Sequence, residues 1–281
     1  MSVQLNSQAL KNTFSDCIMR GNLRKMKRLI EKYQISKEFL DAGCYVYWAS
    51  YYGKLEILKE LLKVGPNVNK RLNFEDYNFD EDDQTQFLSP LHVAASKGFT
   101  KIAKCLLLNG AKVHNFNVNA TPLHIAAGKG HLKIVKLLLK FGTDINSYIM
   151  ERVFTPLYMA TVKGTSKKVV KYLLKCGANP NVANDSGNTL IHEICYKHCV
   201  KRWILNDSNG EEDEFETPRL DFIPMLVAHG ADIKARNKDN FSALDVAIIW
   251  KNNRLTKVLV PFYCPETKIY NSIYPLDKFV K

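Results

Sequence analysis

No apolar run in this 281-residue chain approaches the roughly 18 residues that a membrane-spanning helix requires. The opening MSVQLNSQALKNTF has no basic segment followed by an apolar stretch, so no secretory signal is expected. The seven cysteines are odd in number and scattered, at 17, 44, 105, 176, 195, 199 and 264. Several fall at apolar helix positions. That fits buried thiols in a reducing compartment, the cytoplasm or the nucleus, and not a disulfide framework. There is no G-x-S-x-G and no Cys/His pair placed like an activated nucleophile. Gly128-Lys129-Gly130 lacks the longer glycine pattern and the preceding strand of a nucleotide-binding loop. The acidic run at 80–83 has neither the glycine nor the closing glutamate of a calcium loop. An enzyme, a cofactor and a resident metal are therefore not expected.

What the chain does have is a repeated unit. Residues 121–146 read TPLHIAAGKGHLKIVKLLLKFGTDIN. Thr121 is a helix N-cap, because its side-chain oxygen can accept from an orphan backbone N–H, and Pro122 suits the first helical position. Ala126 and Ala127 make a thin helix that a neighbour can approach closely, and Gly130 supplies the left-handed residue that ends it. A second helix over 132–140 carries Lys133, Lys136 and Lys140 on one face with apolar residues elsewhere, and Gly142 stops it. Copies stand at 89–114 (SPLHVAASKGFTKIAKCLLLNGAKVH) and 155–181 (TPLYMATVKGTSKKVVKYLLKCGANPN). The starts at Ser89, Thr121, Thr155 and Thr189 are 32, 34 and 34 residues apart. Two short helices cannot bury this much apolar surface alone, so the units must stack on one another.

This period and the TPLHxAA core resemble the ankyrin repeat. The resemblance implies an all-α ankyrin-repeat solenoid of about seven stacked helix–turn–helix units, with β-hairpin-like fingers along one edge. It also implies protein binding in place of catalysis.

Residues 1–36 read as a degenerate N-terminal capping repeat, with helices over 7–20 and on to about 33, and Arg24, Lys25, Lys27 and Arg28 on its outer face. Repeat two covers 37–69. Its CYVYWASYYG has lost the TPLH box but keeps Ala49 and Gly53 in phase. An acidic insertion at 70–87 is expected in the following finger. Repeats three to five cover 88–184. Repeat six, 185–235, has His198 in place of the turn glycine and a second acidic insertion at 199–219. A C-terminal capping repeat follows at 236–260, and a tail at 261–281 is expected to pack over it. The insertions hold six acidic residues each of the chain's 28, so the remaining stack is more basic than the net charge of +12 indicates.

His192, Cys195, His198 and Cys199 form HxxCxxHC, a pattern that invites zinc. Structural zinc needs four converging ligands, and neighbours such as 198 and 199 diverge on a helix. In the family resembled, moreover, the TPLH histidine makes structural hydrogen bonds, and Cys195 occupies the buried second-alanine position. His92 and His124 are structural on the same ground. The resemblance places partner contacts on the fingers and on the inner-helix position before the turn glycine. Here that position holds Tyr52, Lys97, Lys129, Lys163 and Lys197. The expected interface is this lysine ladder on the concave face, with Tyr51 and Tyr52 at one end and Trp250 at the other. Finger residues Phe116, Val118, Arg152, Phe154 and Phe241 add to it. The alternative is a solvated rail, since lysine before this glycine is frequent in ankyrin repeats.

The expected function is a non-enzymatic, monomeric scaffold or inhibitor that binds a protein with an acidic or mixed surface and no membrane. Alternatives are a substrate-recognition adaptor of a ubiquitin ligase and a host-interacting viral or bacterial ankyrin protein. Nucleic-acid binding is allowed by the +12 charge, but the acidic insertions argue against it. Residues 74–83 are expected to fold over the ladder and compete with an acidic partner.

Overall fold

The computed structural model describes residues 7–72, 89–114, 120–149, 154–163, 166–207 and 220–263. The expectations for residues 74–83, for the acidic residues after Asp207 and for the tail beyond Tyr263 lie outside the described residues. Among those described, the elements are helices: α1 (Ser7–Arg20), α2 (Leu23–Tyr33), α3 (Lys37–Ala42), α4 (Tyr45–Tyr51), α5 (Leu55–Lys63), α6 (Pro90–Lys97), α7 (Thr100–Leu108), α8 (Pro122–Gly128), α9 (Leu132–Lys140), α10 (Pro156–Val162), α11 (Lys167–Lys175), α12 (Leu190–Asp207), α13 (Phe222–Val227), α14 (Ala243–Ile249) and α15 (Asn253–Tyr263). They fall into two units, residues 1–126 with 133–143, and residues 127–132 with 144–281.

In the first unit, α1 pairs with α2, α4 with α5, and α6 with α7. The first member of each pair packs on the first member of the next, and the second members do likewise. Gly53 and Gly98 take positive φ between paired helices, where a side chain would be strained. α5 packs on α7, and Ile57, Leu58 and Leu61 of the one and Ile102 and Leu106 of the other are at most 2% exposed. At the N-terminal end, Phe14 of α1 is fully buried, with its ring centroid 4.7 Å from Tyr45 and 5.5 Å from Phe39. The short α3 has no counterpart in the sequence reading. Ser36 caps it by accepting from the Phe39 N–H, and it brings Phe39 onto Phe14. Where other repeats begin with Ser or Thr, α4 begins with Cys44 in the left-handed region. The Cys44 thiol donates to the Arg71 carbonyl at 3.2 Å.

In the second unit α10 pairs with α11 and α14 with α15, while α10, α12 and α14 pack in turn and α11 meets α13. Antiparallel single bridges, Ile149 with Phe154, Ala183 with Thr189 and Arg236 with Ser242, close three fingers just before the inner helices. Ser242 and Asp245 form a capping box at the start of α14.

Two boundaries differ from the sequence reading. The inner helix α12 does not end at His198 but runs 18 residues, to Asp207. The segment HCVKRWIL offers no glycine, proline or capping residue to stop it, so nine residues assigned to the second insertion are helical. The last helix passes through Pro261 to Tyr263 instead of ending at 260. Tyr263 donates its hydroxyl to the Ile233 carbonyl, which fastens the first three tail residues to the preceding repeat.

Thiol burial is uneven. Cys17, Cys44, Cys195 and Cys199 are buried and Cys176 is exposed. Burial also pushes the Cys195 and Cys17 thiols up, away from the reactive thiolate. With iodoacetamide at neutral pH and peptide mass spectrometry, Cys176 is expected to alkylate roughly 100-fold faster than Cys195. Equal rates would mean that the alanine-position cysteine is not held in the core.

Candidate protein-binding surface

The box histidines are committed to structure. Ser89 donates its N–H to His92 Nδ1 at 3.3 Å, so that nitrogen is the acceptor and Nε2–H donates to the Ala120 carbonyl at 3.0 Å. His192 repeats this with the Thr189 N–H and the Phe241 carbonyl, at 3.2 and 3.0 Å. Each ring thus pins its own cap and reaches a neighbouring finger. Burial pulls His92 down to about 4 and also lowers His192. With both ring nitrogens occupied, His192 is not presented to a metal. Among the described residues no three His, Cys, Asp or Glu side chains gather as ligands.

The predicted contact residues divide between the units. In the first, Tyr51 is half-buried, Tyr52 is 36% exposed, and Lys97 is exposed with its ammonium 4.6 Å from the Tyr51 ring centroid. In the second, Lys129, Lys163 and Lys197 are exposed at equivalent positions of three successive repeats. Gly128 provides the seat for Lys163, whose Cδ lies 3.4 Å from where a Cβ would stand. The Lys197 side chain is exposed overall, but its ammonium lies 5.5 Å from the Tyr158 ring centroid. Partial desolvation there lowers its pKa, Glu193 works the other way, and the charge of Lys163 lowers it further. Phe154 is half-buried, edge-on to Tyr158 at 4.9 Å. Phe241 and Trp250 are each 39% exposed. Phe116, Val118 and Arg152 lie outside the described residues.

Residues 46–149 match the family described as ankyrin repeats (3 copies), and residues 154–185 match the single ankyrin repeat. This is an ankyrin-repeat protein. The chain is 35% identical over 137 residues to a fowlpox virus (strain NVSL) protein named as an ankyrin repeat protein, FPV024. That match takes in 48% of this chain but 19% of the relative, so the chain spans about a fifth of its length. The crystal structure of the human ASB11 ankyrin repeat domain superposes with a TM-score of 0.63, over 88% of this chain and 96% of that one. At 22% identity the likeness concerns the fold alone. Ankyrin repeats are generally protein–protein interaction modules and typically not enzymes.

Two features of the ankyrin-repeat protein were missed in its sequence. One is Glu193, a carboxylate at the box position that holds Val93, Ile125 and Met159 in other repeats. It accepts from the Tyr158 hydroxyl at 3.4 Å and from Asn184 Nδ2 at 3.1 Å. Burial raises its pKa, against the pull of Lys197. With Thr155, Asn179, Pro180 and Asn188 it lines a shallow recess of about 10 Å³, room for about one water. A charge at an apolar box position was the available signal. The other feature is a set of side-chain ties made by Asp41 of α3 and by asparagines that follow α5, α9 and α11. Asp41 accepts from the Asn67 N–H, Asn69 from Lys112, Asn146 from Asn179, and Asn181 from Asp232, at 2.7–2.8 Å. Asn69 and Asn181 also donate to the Gly110 and Gly230 carbonyls.

Proposed function

We propose that this chain is a non-enzymatic scaffold or inhibitor that binds an acidic or mixed protein surface through its inner-helix face and fingers. The observation that carries the reading is the lysine column of the second unit. Among the described residues, Lys129, Lys163 and Lys197 have no carboxylate within ion-pair distance. Partial burial lowers the Lys197 pKa, Glu193 offsets it in part, and the nearby charge of Lys163 adds a smaller push in the same direction as burial. Like charges left together cost free energy in the isolated chain, and a partner carboxylate relieves that cost on binding. The exposed Phe241 and Trp250 supply aromatic surface of the kind that anchors interfaces. The proposal extends to a reducing compartment, the cytoplasm or the nucleus, in keeping with the buried thiols.

The test is capture from a cell lysate by the wild type and by a Lys129→Glu, Lys163→Glu, Lys197→Glu variant, with circular dichroism confirming that both are folded. A protein retained by the wild type at low salt, and lost in the variant, is the expected result. Equal capture by both would reduce the column to a solvated rail and refute the reading.

A further inference from the structure

In the second unit the lysine column ends in side chains of a different kind. Lys129, Lys163 and Lys197 each stand eight places after the Thr that opens their repeat, and Trp250 stands eight places after Ser242. The backbone bears out that register. Lys251, the next residue, has φ 51°, in the left-handed region that Gly130 occupies at 77° after Lys129. Ile249 takes the place of Gly128, Val162 and Tyr196. It is 57% exposed, and Trp250 is 39% exposed. A terminal repeat ordinarily turns a polar face to solvent, so adjacent exposed Ile and Trp side chains here work against the solubility of the isolated chain.

These side chains follow one another in space. A Cβ on Gly128 would stand 3.4 Å from Lys163 Cδ, so Lys163 leans towards the repeat that carries Lys129. The charge of Lys163 is felt at Lys197. The inner helices α10, α12 and α14 pack in turn, which sets Trp250 one repeat beyond Lys197. Lys197 is held in place, with its ammonium 5.5 Å from the Tyr158 ring centroid. Packed helices lie about 8–10 Å apart, so one step along this face is about 10 Å. An extended chain advances about 3.3 Å per residue. Three residues of an extended chain therefore match one repeat.

We infer that the face running from Lys129 through Lys163 and Lys197 to Ile249 and Trp250 receives an extended acidic segment of a partner protein, with carboxylates about three residues apart and one large apolar side chain about three residues beyond the last of them. The inference rests on the proposed function and specifies the order of side chains that the partner presents. The carboxylates follow from the column, whose three lysines form no ion pair with a described carboxylate. The extended form follows from the segment's own charge, since a chain of like charges repels itself and stretches. The apolar side chain follows from Ile249 and Trp250, whose apolar surface a further carboxylate would leave in water. A nucleic acid would meet the same lysines, but its phosphates recur about every 3.4 Å along a duplex strand and do not single out the repeat spacing.

The test uses the full chain and fluorescein-labelled peptides, read by fluorescence anisotropy. The probe has Glu at every third of three successive places, Ser and Gln between, and one Leu three places beyond the last Glu. A second peptide has Ala in place of the Leu, and a third has the probe's composition with its Glu residues adjacent. Each is made in both chain directions, because the face fixes an order in space and not the sense of the partner's backbone. In one direction the probe is expected to bind about 10-fold more tightly than the other two peptides. Trp250→Lys installs the residue of the three preceding repeats, so it is expected to fold, and it should bind the Leu and Ala peptides equally. Ile249→Ser, at a more exposed place, should narrow the same difference. The Lys129→Glu, Lys163→Glu, Lys197→Glu variant should lose every acidic peptide. The inference is overturned by equal binding of the Leu and Ala peptides to the wild type, or by a Leu preference that survives both end substitutions. It is equally overturned by adjacent Glu residues binding as well as spaced ones, by tighter binding of an oligothymidylate of similar length, or by no binding at about 1 mM peptide. If the wild type binds the Leu and Ala peptides alike and the lysine variant loses both, the acidic-partner reading stands and the ordered site falls.

Discussion

Lowering the pH from 6.5 to 4 is expected to remove roughly 3 kcal/mol of stability through His92 alone. The sign follows from the geometry. His92 is fully buried, accepts the Ser89 N–H on Nδ1, and gives its only proton to the Ala120 carbonyl. A second proton would place a charged ring in a fully buried site, and burial disfavours the charged form. The folded pKa therefore falls from 6.5 to about 4. Between those values the unfolded chain binds a proton that the folded chain refuses, so stability is complete above 6.5 and drains away as the pH drops. Urea midpoints at pH 7, 6, 5 and 4 measure it. His92→Leu should be less stable at pH 7, because it orphans the Ser89 N–H and the Ala120 carbonyl. Its midpoint should also fall less steeply with pH, His192 and the carboxylates supplying what slope remains. Parallel curves for wild type and variant would show that His92 titrates normally in the fold.

Phe14→Ala is expected to cost about 4 kcal/mol and to spend that loss at one end of the chain. The ring is fully buried between Tyr45 and Phe39. Removing it empties the contact that holds α1 to α3 and α4. In a stack each repeat is stabilised by its neighbours, so a terminal pair that loses its interface frays before the rest unfolds. Hydrogen exchange should show lost protection over residues 7–34 and unchanged protection in α10, α11 and α14. Phe14→Leu should cost less than about 1.5 kcal/mol. Uniform loss of protection in Phe14→Ala would mean that the first helix pair is not a separable cap.

The regular repeats could be read from the chain because their signals are local. Thr155 caps, Pro156 begins a helix, Gly130 and Gly142 take left-handed backbone, and the apolar residues of 132–140 face one way. The same logic overran at α12. The period demanded a turn at His198, but a period is no force, and a segment without a helix breaker stays helical when its inner face is buried, as Cys199 is. The lysine and tyrosine positions followed from the repeat alignment. What the alignment could not supply was what each side chain meets. Glu193 bonded to Tyr158, Lys97 over Tyr51, and α3 bringing Phe39 to Phe14 all depend on residues remote in the chain or on a capping serine in an unremarkable context.

The ties from Asp41, Asn69, Asn146 and Asn181 bear on how such a chain changes over generations. Each side-chain oxygen grips a backbone N–H, that of the next repeat for the three asparagines, and this is a group that every residue but proline carries. The tie therefore makes almost no demand on the neighbour's sequence. Nor does it fix the length of chain between the partners: the same bond spans 26, 33, 43 and 51 positions. A loop can lengthen, or a unit be copied or exchanged, without a matching mutation across the joint. The acidic insertion after repeat two falls within the 43-residue span, and that after α12 within the 51-residue one. New recognition segments can thus be tried between joints that stay as they were.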